Sequence, residues 1–106
     1  MKYVCEFGEF DVRPVICEYV MGGTAVQLVE EDGCPFATLT VNLGFHLPEE
    51  LAFIDTNNLP DAEKFIAEND LGTATGVVVE SGFCSYPQYH LDLDRIKALA
   101  DEPFVA

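Results

Sequence analysis

The chain has 106 residues, 49% of them hydrophobic, with 19 acidic side chains against five basic ones and a formal net charge of -14. That length fits one domain spanning residues 1–106, and eight phenylalanines supply a core that a disordered acidic tail lacks. The charge speaks against direct nucleic-acid binding, which needs a basic stripe, and against anionic membranes; it also costs stability through self-repulsion, beyond what solubility needs.

In chain order, residues 2–7 read as a strand and Gly8-Glu9 as a turn. A second strand runs through Phe10 and Val12, with Pro14 marking an edge or a bulge because proline cannot donate to a ladder. Strand character resumes from Val15 to Met21, and Met21-Gly22-Gly23 turns the chain. Residues 24–43 read as a hairpin closed by Asp32-Gly33, with Gly33 supplying the positive φ of a tight turn. Its second arm, Pro35 to Leu43, alternates Leu39, Val41 and Leu43 with Thr38, Thr40 and Asn42. Glu49 to Asp55 fits a short buried strand or a single helical turn, of which the strand is favoured. Asn58 as N-cap, Pro60 in the first turn, the Ala62/Phe65/Ile66 stripe and a left-handed Gly72 predict a helix over residues 59–70. Strands follow through Val77-Val78-Val79 and from Phe83 to Leu91, the latter interrupted by Pro87 and so placed at an edge. Asp92 or Asp94 caps a last short helix carrying Ile96 and Leu99 inward, and the tail from Asp101 frays. The expected class is α+β, an antiparallel sheet of about five to six strands with one or two helices packed on it.

Chemistry-bearing motifs are scarce. The N-terminus has no signal-peptide core and no run reaches a membrane span, so the expected compartment is the cytoplasm, with Cys5, Cys17, Cys34 and Cys84 as reduced thiols. The histidines are His46 and His90. A Cys84/His90 pair would stand roughly 20 Å apart along one strand, too far for a thiol nucleophile and its base. Glu30-Glu31-Asp32 lacks calcium-loop spacing, so no dedicated metal site is expected, and no motif asks for a cofactor. Phe83, Tyr86 and Tyr89 line a pocket or interface, or merely pack at the core and rim.

What remains is a distributed set of carboxylates. A duplex carries a charge about every 1.7 Å of axis, and a small sheet with acids on its outer face and loops imitates part of that array. Glu9 and Asp11 project together on a regular strand, about 6.6 Å apart. The candidate partner-binding residues are Glu30, Glu31 and Asp32 at the hairpin tip and Asp61, Glu63 and Glu68 on one helix face.

Residues Ala25-Val26-Gln27-Leu28, Pro35 to Leu43, Asp55-Thr56-Asn57-Asn58, Ser81-Gly82-Phe83 and Tyr86-Pro87 resemble a small bacterial family of unknown function over residues 20–90, leaving the N-terminal strands outside. The resemblance implies carriage on plasmids, conjugative elements and prophages, where small acidic proteins often serve as anti-restriction or anti-CRISPR factors, some of them DNA mimics. It brings no catalytic residues.

The leading expectation is therefore a non-enzymatic acidic inhibitor or modulator that binds a basic protein surface of a nucleic-acid-processing complex. Its association would be fast and salt-sensitive. The alternatives are a small interaction module that pairs through an edge strand, an enzyme using convergent carboxylates, and a protein whose charge is incidental.

Overall fold

The computed structural model describes residues 1–19, 23–44 and 47–100. Among these lie β1 (Lys2–Cys5), β2 (Gly8–Glu18), β3 (Thr24–Glu30), β4 (Pro35–Thr38), β5 (Thr40–Val41), β6 (Leu51–Ile54), α1 (Ala62–Asn69), β7 (Gly72–Ser81), β8 (Cys84–Leu91) and α2 (Leu93–Ala100). Every pairing is antiparallel. The strands form two four-stranded sheets, β1-β2-β3-β4 and β5-β6-β8-β7. The fold is α+β as expected, with more strands, in two sheets rather than one. Among the described residues no helix is long and apolar enough to cross a membrane.

The hairpin is present, but its second arm is two strands. β4 pairs with β3 through Gln27↔Thr38, and the chain then leaves the first sheet at Leu39 to start β5 in the second. Leu39 is fully buried. Its N–H donates to Val26 O (2.8 Å) and its carbonyl accepts from Asp55 N (3.0 Å), so one residue ties β3 to the end of β6. Thr40 follows. Its buried hydroxyl accepts from Val26 N (3.2 Å) and bonds the Tyr19 hydroxyl (2.9 Å), so the polar group at the joint is satisfied. The apolar alternation from Thr38 to Leu43 reads equally well as one strand, because a strand that switches sheets keeps its two-residue period.

Both prolines sit in middle strands, not edge strands. Pro14 pairs with Leu28, yet β1 is partnered only with Gly8 to Asp11, so β2 has an open side at Pro14. Pro87 pairs with Val78, and β6 meets β8 only from Gln88 to His90. The missing N–H is tolerated because a short neighbouring strand has ended. The true edges are β1 and β4 in one sheet and β5 and β7 in the other.

The first turn lies two residues earlier than expected. Cys5 pairs with Gly8, leaving Glu6-Phe7 as the loop. The helix starts at Ala62, not at residue 59, because Asn58 is used as a donor. Its backbone N–H and side-chain amide both bond Asp55 (3.3 and 2.8 Å), so its oxygen does not cap the helix. Asp61 takes the N-cap position without a side-chain bond. Asp70, with φ 53° and ψ 44°, ends the helix in the left-handed region where Gly72 was expected to do so. Gly72 serves a different purpose: a Cβ there would lie 2.5 Å from the His90 carbonyl oxygen, so glycine permits the tight β7–β8 pairing.

The core lies between the sheets and under the helices. Ala62, Phe65 and Ile66 of α1 are buried as their spacing predicts. The Phe65 ring stands 5.0 Å from that of Tyr3, joining α1 to β1. Asp92 caps α2 by accepting from Arg95 N (3.1 Å), and Ile96 is buried. The turn read at Met21-Gly22, His46 and the tail from Asp101 fall outside the described residues.

Candidate functional site

The β3–β4 tip is built on backbone hydrogen bonds. Gly33 N donates to Glu30 O (2.9 Å), with Gly33 at φ 86°, and Glu30 N donates to Cys34 O (2.9 Å). Glycine closes the turn at a conformation that costs other residues, and this leaves Glu31 and Asp32 exposed at its apex.

The β1–β2 hairpin brings two more carboxylates to the same place. Val12 pairs with Glu30, so the segment preceding Val12 runs alongside the tip. Glu9 and Asp11 flank Phe10 and project on one face, as strand alternation requires. The five acidic residues Glu9, Asp11, Glu30, Glu31 and Asp32 line an open depression of about 440 Å³ together with Phe10. Beneath it, the Phe10 ring is 5.0 Å from Phe36, and Phe36 is 5.4 Å from Tyr3. Phe10 thus links the acidic saddle to an aromatic row beneath it.

Its electrostatics are local. Asp32 accepts from Cys34 N (3.0 Å), which holds its carboxyl below the usual carboxylate range. Hydrogen bonding to Asp32 and then its charge raise the Cys34 thiol, an environment opposite to that of a nucleophilic cysteine. Lys2 pairs with Asp11 at 2.9 Å, both side chains about half exposed, and is raised chiefly by that hydrogen bond. A surface pair of this kind contributes little.

The other three candidate acids sit elsewhere and do not share one face. Glu63 lies about 200° around the helix from Asp61. Its carboxylate accepts from the Tyr89 hydroxyl (2.9 Å), which secures α1 to β8. Glu68 faces Lys64 at 3.7 Å on the exposed helix surface. Asp61 lines a second depression with Tyr3, Cys5, Phe7, Phe36 and Leu59, next to Pro60. Thus the structure gathers Glu30, Glu31 and Asp32 with Glu9 and Asp11, and leaves Asp61, Glu63 and Glu68 dispersed.

Sequence reasoning missed the apolar side of this region. Phe7 is 83% exposed at the β1–β2 turn, and Phe83 is fully exposed at the β7–β8 turn. With the first turn expected at Gly8-Glu9, two residues late, and the other at Ser81-Gly82, one residue early, both phenylalanines read as strand residues. Phe83, Tyr86 and Tyr89 form no cluster: Phe83 is in solvent, while Tyr86 and Tyr89, three apart on one strand, face opposite ways and only Tyr89 is buried. Cys84 and His90 stand near opposite ends of β8. Among the described residues no group of three or more His, Cys, Asp or Glu side chains is placed to hold a metal ion.

No curated protein and no solved structure matches the chain. The model of a domain of unknown function, DUF4313, matches residues 15–105. The match reaches further at both ends than the resemblance read over residues 20–90, and it takes in the β3–β4 tip and α1 while β1 and the start of β2 precede it. The chain thus belongs to the DUF4313 family.

Proposed function

We propose that the protein is a non-enzymatic acidic inhibitor or modulator that docks its saddle on a Lys/Arg-lined surface of a nucleic-acid-processing complex. The observation that carries this reading is the gathering of five carboxylates, drawn from two hairpins far apart in sequence, around one depression. Lys2 pairs with Asp11 at the rim, with both side chains about half exposed. Carboxylates at strand spacing stand about as far apart as successive phosphates on one nucleic-acid strand, to within a factor of two. A protein of this kind needs no active site, and its target channel is basic because it binds nucleic acid. The finer assignment, an anti-restriction or anti-CRISPR factor of mobile-element origin that mimics DNA, follows from the sequence resemblance together with this surface.

The test is affinity capture with the tagged protein from lysate of its own host genus, washed at low and at high salt. Recovery of a restriction or CRISPR subunit that is released by salt, and that the Glu31→Lys/Asp32→Lys variant fails to recover, supports the reading. Unchanged recovery by that variant overturns it.

A second reading has its own observation. β7 is a ten-residue edge strand on which Val77 and Val78 are 47% and 59% exposed. From Thr73 to Val79 it carries no charge, an invitation to pairing with another strand. A bulge between Ala74 and Val78 partly blunts it. Under this reading Val78→Lys abolishes capture of a salt-resistant partner, whereas the saddle variant leaves it intact.

A further inference from the structure

Beside the saddle lies a depression of different character. About 410 Å³ in volume, it is lined by Tyr3, Cys5, Phe7, Phe36, Leu59 and Pro60, with Glu6 and Asp61 as its charged members. Phe7 stands over it in solvent. The floor also holds a polar group without a partner. Tyr3 is 2% exposed, and its hydroxyl makes no hydrogen bond although Asp61 is close enough to act on it electrostatically. That oxygen is enclosed by the protein, so the open part of the groove is defined by its apolar lining and its anionic rim. An ammonium or guanidinium at the rim would supply a counter-charge for Asp61 and Glu6.

We infer that this groove between the β1–β2 turn, Phe36 and the 58–61 turn is a socket for an apolar side chain of a partner protein's basic segment, with the flanking Lys or Arg held by Asp61 and Glu6. The occupant is chosen by complementarity. The lining is carbon and aromatic, the rim is anionic, and the whole chain carries a charge of -14, which repels acidic peptides and a second copy of itself. Apolar anchors in such pockets carry most of the binding energy of an interface, while rim charges set approach and register. The inference does not rest on the acidic saddle, whose lining shares no residue with this groove.

The test uses two fluorescein-labelled synthetic peptides of equal charge, Lys-Arg-Leu-Phe-Lys-Arg and Lys-Arg-Ser-Ser-Lys-Arg, titrated with the intact protein at moderate and high salt. The apolar peptide should bind at least about tenfold more tightly, a margin that persists in high salt because burial of apolar surface is not screened. Backbone amide shifts should concentrate at residues 3–7 and 58–61. Pro60→Lys and Phe7→Ser, both at exposed positions, should each remove the margin. Glu31→Lys/Asp32→Lys should weaken both peptides and keep the margin, so failure of the socket and failure of the saddle are told apart. Equal affinity for the two peptides overturns the inference, as do shifts confined to the β3–β4 tip, or a dimer of the free protein with its groove amides already protected.

Discussion

The outer ends of the two sheets present opposite surfaces to water. At the first, the β1–β2 and β3–β4 hairpins converge on five carboxylates over a floor of phenylalanine and tyrosine. At the second, β7 runs from Thr73 to Val79 without a charge and with two valines in solvent. The net charge is thus not an even coat. Antiparallel pairing brings Glu9 and Asp11 beside a tip some twenty residues later in sequence, and it leaves the other edge almost neutral. One surface suits a basic partner and the other suits a strand, so the two readings of function belong to different places and can be broken separately.

The largest effect should come from the joint on which both surfaces depend. Leu39 is completely buried, and its backbone hydrogen bonds reach both sheets. Leu39→Ala keeps those bonds and removes the side chain. It should cost about 2–5 kcal/mol in denaturant unfolding, the range for large cavities in close-packed cores. Loss of structure in one sheet alone would show that the two fold independently, against the joint described here.

A smaller and more local loss is expected at Gly72. The added methyl group of Gly72→Ala meets the His90 carbonyl oxygen at 2.5 Å, and backbone has no rotamer by which to move aside. About 1–3 kcal/mol of destabilisation is expected, as for other overpacked sites, with amide exchange rising along β7 and β8 before it rises in the first sheet. An unchanged midpoint would mean that the strands separate at little cost.

How much of this was legible in sequence follows from the range of each signal. The Ala62/Phe65/Ile66 stripe, the Asp32-Gly33 turn and the Asp92 cap are encoded within a few residues, and each appears in the structure. Pro14 and Pro87 were misread as edge markers because their tolerance depends on where β1 and β6 stop, a fact held by other segments. Leu39 and Gly72 are special through contacts with residues 26, 55 and 90, which no local pattern reveals. For the site the same rule holds. The run Glu30-Glu31-Asp32 is visible at once, its gathering with Glu9 and Asp11 needs the β2–β3 register, and the groove at Tyr3 needs the 58–61 turn to arrive from beyond β6.

Two tyrosines, one in each sheet, sharpen the comparison through pH. Burial, then the Asp61 charge, pushes the Tyr3 phenol up to about 12; burial, then the hydrogen bond to Glu63, does the same for Tyr89. The ordinary value is 10.0, so between about pH 10 and 12 the folded state holds protons that the unfolded chain has lost. Stability should therefore be insensitive to these groups below pH 10 and fall as pH rises through that window. Phenolate absorbance should rise together with unfolding. The two sites should differ at neutral pH. Tyr89→Phe deletes a hydrogen bond and should cost about 1 kcal/mol, whereas Tyr3→Phe removes an unpartnered oxygen and should be neutral or stabilising. Equal losses at both positions would show that the Tyr3 hydroxyl has a partner in solution.

The smallest effect concerns the saddle's own field. Cys34 is exposed beside Asp32, and its thiol is raised first by hydrogen bonding to that carboxylate and then by its charge, with Glu30 contributing at longer range. The thiolate is the reactive species, so alkylation of Cys34 at mildly alkaline pH should be slow for an exposed cysteine. Asp32→Asn removes the charge while keeping an oxygen that can accept from Cys34 N, so the turn survives and the rate should rise by a small factor. Added salt should accelerate the parent protein more than the variant, because only the parent has the full field to screen. A salt response equal in both proteins would mean that Asp32 sets up no screenable potential at the tip, and the case for a basic partner there would then rest on net charge alone.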